Sequence, residues 1–151
     1  MEIKGFSANF IQDNHSHSIK GVLRGLHFQI DKSQGKLVRV LNGSVYDVAV
    51  DLRKDSSTFG KYFGIELSSD NHLMFYIPEG FAHGFLTLSD EVDFFYKVTE
   101  YYYPEFDSGI IWNDQDLKID WPLESHHIEQ PILSSKDAKL RSFKEVMSAT
   151  K

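Results

Sequence analysis

The sequence has 151 residues and no cysteine, and only four prolines and two tryptophans. Without thiols, disulfides and thiolate metal sites are excluded. Long runs of like charge are also missing. The 16 Lys and Arg are scattered among 22 Asp and Glu, and the formal net charge is -6. A nucleic-acid partner, which needs a basic patch or stripe, is therefore not expected. No stretch approaches the roughly 18 consecutive apolar residues of a membrane helix, and the start, Met1 to Gly5, lacks a signal-peptide pattern. A cytoplasmic protein without a membrane partner is the expectation. Repeats, linkers and low-complexity segments are absent too, so one domain over 1–151 is expected, large enough to bury a core.

Aromatic residues are what the chain has in quantity, with twelve Phe and seven Tyr. They favour strands and line pockets for flat ligands. Lys36 to Leu41 and Ser44 to Leu52 flank Asn42-Gly43, a strong hairpin signal. In the second of these runs Tyr46, Val48, Val50 and Leu52 alternate with Val45, Asp47, Ala49 and Asp51. Further strands are read at Lys61 to Leu67, His72 to Ile77, Phe81 to Leu88, Glu91 to Thr99 and Gly109 to Asp114. A short strand from Asn9 is expected to end in a turn-prone polar cluster, Asp13 to Ser18. Short strands at this spacing indicate an all-β sandwich or barrel. Only the end reads as helix: Ser134 or Ser135 can cap it, Asp137 suits the first turn, and Leu140, Phe143 and Met147 fall at helical spacing. Trp121 to Gln130 reads as loop.

The most informative run is Val22 to Ile30. Strict alternation places Leu23, Gly25, His27 and Gln29 on one face and Val22, Arg24, Leu26, Phe28 and Ile30 on the other. His27 is then either a satisfied core histidine or part of a polar-lined pocket. Arg24 faces away from it unless the strand bends, and Gly25 is the place for such a bend. Lys36 shares a face with Val38 and Val40, so it is either an interior ammonium with a task or a side chain reaching back to water. Tyr96, beside Phe94 and Val98, is a core aromatic or a phenol placed to give a proton. Asp137 either stabilises a helix start or orients His27. His15, His17, His126 and His127 read as surface or loop residues. A His, a Lys, a Tyr and an Asp projected into a barrel suit proton abstraction next to a carbonyl.

Pro78-Glu79-Gly80-Phe81-Ala82-His83 resembles the second half of the cupin motif, in which the histidine often binds metal. The first half normally brings His-x-His, and here His27-Phe28-Gln29 offers one imidazole and an amide, so a metal is not expected.

Several motifs in order extend the likeness. Arg24 to Gln29, Gln34 to Arg39, Asp47 to Arg53, Ile77 to Phe85, Ile111 to Asp114 and Leu133 to Ala138 resemble the dTDP-4-dehydrorhamnose 3,5-epimerase family. The resemblance runs from about Phe10 to Asp137. It implies a cupin-type jelly roll with a short C-terminal helix, free of metal and of cofactors, usually a homodimer. It implies a dTDP-linked 4-keto-6-deoxyhexose as substrate, inverted at C3 and C5 on the way to dTDP-L-rhamnose and surface polysaccharide. Carried over residue by residue, His27 would be the base, Asp137 its orienting carboxylate, Lys36 the cation for the enolate oxygen, and Tyr96 the proton donor on the opposite side. Gln12, Asn14, Arg24, His83, Tyr102, Asp107 and Lys136 would contact substrate: Arg24 at phosphate, His83 at the sugar, Tyr102 stacked on thymine, and Asp107 where the family usually has Glu. Family members usually carry a further N-terminal segment that supplies strand pairing and nucleotide contacts, partly across the dimer. A shortened N-terminus is therefore expected to bear on dTDP affinity and on the dimer. The alternatives are a single-carbon epimerase of a related nucleotide sugar, a truncated non-catalytic sugar-nucleotide-binding cupin, and a metal-dependent cupin such as an oxygenase.

Overall fold

The paired strands of the molecule run antiparallel. The computed structural model describes residues 2–3 and 6–149; the remaining residues, with most of the start read above for a signal peptide, lie outside the described residues. The strands are β1 (Glu2–Ile3), β2 (Phe6–Ser7), β3 (Gln12–Ile19), β4 (Leu23–Gln29), β5 (Lys36–Asn42), β6 (Ser44–Asp51), β7 (Tyr62–Ser68), β8 (Met74–Ile77), β9 (Phe81–Thr87), β10 (Glu91–Val98) and β11 (Asp107–Gly109). Strands β1 and β2 pair with each other, and the rest form a four-stranded sheet ordered β3-β10-β5-β8 and a five-stranded sheet ordered β11-β4-β9-β6-β7.

The two larger sheets meet face to face. Val38 and Val40 of β5 and Val92 and Phe94 of β10 pack with Val45 and Ala49 of β6, Leu67 of β7 and Phe85 of β9. The five-stranded sheet also buries its other face. Leu23, Leu26, Val48, Val50 and Leu86 there meet Leu117, Trp121, Ile128 and Val146 from the segment after β11. This is the jelly-roll arrangement expected of the sequence. Strand β6 is buried on both sides, and its two alternating sets go to the two cores as its pattern requires.

Three expectations need correction. The polar cluster Asp13 to Ser18 is not a turn but most of β3, an edge strand paired to β10 along its length. It carries polar residues on both faces, so it shows no apolar period from which to read it. Its outer face is tied across by Lys97–Asp13 at 2.8 Å and by His17 and His15 to Asp93 at 3.1 and 3.4 Å. The helix begins later than expected: Asp137–Lys139 is a single 3-10 turn, and α1 covers Phe143–Ala149. Ser142 and Glu145 cap α1 reciprocally, the Ser142 hydroxyl accepting from the Glu145 N–H and the Glu145 carboxylate from the Ser142 N–H.

The third correction concerns β4. Leu23 and Leu26 lie in the same core, although strict alternation would separate them. Pairing with β9 breaks between Arg24 and His27, and Gly25 there has φ 121°. The face therefore switches at Gly25, and Arg24 turns to the same side as His27 and Gln29. A Cβ on Gly25 would lie 2.6 Å from the Gly84 Cα, and one on Gly84 would lie 2.7 Å from the Arg24 oxygen. Two facing glycines let β4 and β9 come this close. No helix among the described residues is long and apolar enough to cross a membrane.

Candidate active site

A cavity of about 350 Å³ opens between the sheets, lined by residues of both. Strand β3 contributes Gln12 and Asn14, which bond each other at 3.1 Å. Strand β4 contributes His27 and Gln29, β5 contributes Lys36, β10 contributes Tyr96, and the rim carries Tyr102, Asp107 and Lys136. Arg24, His83 and Asp137 stand at or behind this wall.

His27 Nε2 donates to Asp137 Oδ1 at 2.6 Å, and the Gly25 N–H donates to the other carboxylate oxygen at 3.1 Å. The protonation of a ring nitrogen follows from its partner. With Nε2 held as a donor, Nδ1 is the nitrogen left to accept a proton. Asp137 is 3% exposed. Burial works to raise its carboxyl, but the bond and charge of His27 and the Gly25 N–H prevail and hold it below the ordinary range. The Ser134 hydroxyl accepts from the Asp137 N–H at 3.0 Å, fixing the 3-10 turn that presents the carboxylate.

Lys36 opens β5 directly opposite Val98, on the inner face with Val38. Burial brings its ammonium down to about 8 against the pull of Asp47 and Asp107. Tyr96 packs against Phe94, with ring centroids 5.9 Å apart. Burial pushes its phenol up, opposed by the Arg24 charge, so the group stays protonated at neutral pH. Arg24 itself donates to the Ser18 hydroxyl from Nε and Nη2, at 3.3 and 3.1 Å.

His83 lies directly across from His27 on β9. Its Nε2 bonds both oxygens of Asp47 at 2.9 Å, and its ring stacks on Phe94. Burial pushes the Asp47 carboxyl up and the His83 imidazole down, while their mutual bond works against both shifts. The sequence pattern puts Asp47 on a strand face between Val45 and Ala49 but assigns it no role. A carboxylate between Val45 and Ala49 is the signal that could have found it. With Nε2 taken by Asp47, only Nδ1 of this cupin-like histidine is left for another partner. Among the described residues no three His, Asp or Glu side chains converge as a ligand set.

At the rim, Lys136 pairs with Asp107, which also accepts from the Tyr102 hydroxyl at 3.2 Å. The arrangement can hold an anionic ligand at the rim, take a proton from one wall of the cavity and give one from the other.

The family model for dTDP-4-dehydrorhamnose 3,5-epimerase matches residues 1–145. The dTDP-4-dehydrorhamnose 3,5-epimerase of Methanothermobacter thermautotrophicus is 57% identical over 141 residues, which is 93% of this chain and 75% of that protein. The Escherichia coli enzyme of the same name is 53% identical over 146 residues, 96% of this chain and 77% of that one. Among solved structures, the dTDP-6-deoxy-D-glucose-3,5-epimerase of Legionella pneumophila in complex with dTDP-4-keto-L-rhamnose superposes with a TM-score of 0.88 at 50% identity, covering 97% of this chain and 74% of that one. An epimerase of Mycobacterium tuberculosis gives a TM-score of 0.91 at 41% identity, covering 96% of this chain and 72% of that one.

Proposed function

This chain belongs to the dTDP-4-dehydrorhamnose 3,5-epimerase family, and from that premise we propose that His27, Asp137, Lys36 and Tyr96 carry its chemistry. Gln12, Asn14, Arg24, His83, Tyr102, Asp107 and Lys136 hold the substrate in the same proposal. The activity is that of an isomerase: dTDP-4-dehydro-6-deoxy-D-glucose is inverted at C3 and C5 to dTDP-4-dehydro-L-rhamnose.

The observation that carries the assignment is the placement of His27 and Tyr96 on opposite sheets across one cavity. The C4 ketone acidifies the hydrogens on C3 and C5. His27, oriented by Asp137, takes one of them through Nδ1, and the electron pair moves to the ketone oxygen. The Lys36 ammonium, on the cavity wall, compensates the enolate charge. Tyr96 then gives its proton to the other face of the same carbon, which inverts it. Tyr96 regains a proton, His27 releases one, and the sugar turns to present the second carbon. Arg24 meets the diphosphate, and at the rim the Tyr102 ring stacks on thymine with Lys136 as a further substrate contact.

Deuterated water tests this reading. With the 4-keto substrate, deuterium is expected at both C3 and C5. Label at one carbon alone would make the protein a single-carbon epimerase. Tyr96→Phe is expected to slow inversion about a hundredfold while label still enters the starting isomer; equal loss of both would remove Tyr96 from its role.

The pH dependence has a definite sign. Lys36 helps only while protonated, so kcat/KM is expected to fall as pH rises through about 8. Lys36→Arg, which keeps its charge, is expected to move that falling limb upward. An unmoved limb would assign it to another group.

A homodimer in the cytoplasm is part of the proposal, with dTDP-L-rhamnose feeding a surface polysaccharide. The homodimer is supported by the family resemblance and by β3, an edge strand paired only to β10 among the described residues, where Ile19 is 54% exposed.

A further inference from the structure

We propose that Gln29 is a positioning residue that holds the Tyr101–Tyr103 loop over the cavity and thereby sets the grip on the nucleotide. The proposal rests on the reading of Tyr102 as the residue that stacks on the base.

Gln29 follows His27 on the same face of β4 and is 6% exposed. Its amide nitrogen and oxygen are both engaged. Nε2 donates to the Lys32 carbonyl at 2.6 Å and to the Tyr101 carbonyl at 3.2 Å, and Oε1 accepts from the Tyr103 N–H at 2.8 Å. The amide can face only one way, because a flipped group would set its oxygen against two carbonyls and its NH2 against an N–H. One side chain therefore joins two loops that are distant in sequence, and it holds the backbone on both sides of Tyr102. Lys32, at φ 54°, lies in the turn that offers its carbonyl to this bond.

Other ties are to backbone and frame the same loop from outside. The Ile30 N–H donates to Phe106, and the Thr99 N–H to Gly35. The Gln34 side chain donates to the Glu100 carbonyl at 2.9 Å. These fix the ends of the segment. Between them Tyr101 and Tyr102 are each 52% exposed, so their rings have little packing to hold them in place. The Tyr102 hydroxyl bond to Asp107 fixes the tip of the ring, and Gln29 fixes its root. A stacking surface works only if it is held where the base arrives, since ordering it on binding costs affinity. Gln29 supplies that order in advance and touches none of the reacting atoms. Its loss is therefore expected in binding rather than in the proton transfers at His27.

The test is a four-cornered comparison of wild type, Gln29→Leu, Tyr102→Ala and the double variant. The measurements are the Kd for dTDP by calorimetry, and KM and kcat for the sugar nucleotide. Tyr102→Ala is expected to weaken dTDP binding about tenfold or more. Gln29→Leu is expected to weaken it about tenfold, to raise KM in step, and to lower kcat far less. The double variant is expected to be no weaker than Tyr102→Ala, because Gln29 acts through that ring.

If Tyr102→Ala binds dTDP as wild type does, the stacking reading fails, and this proposal with it. If Tyr102→Ala weakens binding and Gln29→Leu does not, only the role of Gln29 falls. Additive losses, or a loss confined to kcat, also overturn it. Gln29→Glu serves where the leucine variant does not fold. It keeps the acceptor for Tyr103 but sets a carboxylate against two carbonyls. Its KM, relative to wild type at each pH, is expected to fall as pH is lowered and the carboxyl gains a donor proton; a ratio independent of pH would count against the clamp.

Discussion

A His27→Asn variant is expected to stay folded and to lose about a thousandfold of the wild-type rate of deuterium entry beside the ketone. Removing a positioned base costs this much when no neighbour can replace it, and the neighbours here are unsuited. His83 is the other imidazole nearby, but it is only 8% exposed, with its ring stacked on Phe94. Lys36 is needed as a cation at the enolate oxygen. Asn keeps a donor for Asp137, so the buried carboxylate is not left bare and the loss reports chemistry rather than collapse. Label entering within tenfold of wild type would remove His27 as the base. Asp137→Asn separates orientation from abstraction: the base remains, but the carboxylate that holds it at 2.6 Å is gone. Its loss is expected to be smaller than that of His27→Asn, at about a hundredfold.

Gly25→Ala is expected to destabilise the protein by about 3 kcal/mol or more. A side chain at φ 121° is strained, and the added Cβ would also lie 2.6 Å from Gly84 Cα and 2.7 Å from the His83 oxygen. Both obstacles are backbone, so neither yields by a rotamer change. The denaturation midpoint measures the effect, and an unchanged midpoint would mean that the close approach of β4 and β9 is not needed. Against a typical total of about 5–15 kcal/mol, such a loss leaves a marginal fold. Gly84→Ala, whose Cβ would meet the Arg24 oxygen at 2.7 Å, is expected to cost less, because its collision comes without the strained φ.

These two positions also mark what can and cannot be read from the sequence. The β5–β6 hairpin and both faces of β6 were legible, because an Asn-Gly turn and a period of two are properties of near neighbours. The helix was placed too early because Leu140, at helical spacing, follows a turn that ends at Lys139. Strand β3 was missed in part because a polar edge strand has no apolar period. Strict alternation turns Arg24 away from His27 unless the strand bends at Gly25, and the bend is there; whether it occurs depends on β9, which alternation within β4 does not contain. Asp47 was placed on its face but given no role, since its partner His83 is 36 residues away. For Asp137 the residues leave two roles open, helix start or partner of His27, and with 110 residues between the two only the resemblance favours the second.

That last separation has a consequence for how activity arises during synthesis. The strands of both large sheets apart from short β11 are finished by Val98, whereas Asp137 arrives later, on the segment that also covers the outer core with Leu117, Trp121 and Ile128. A chain still on the ribosome can therefore assemble most of the sandwich, His27 included, before the carboxylate that orients it has emerged. Full activity is expected only once that trailing segment docks. The same event covers the second core, so the orientation of His27 and the closure of that core are expected together.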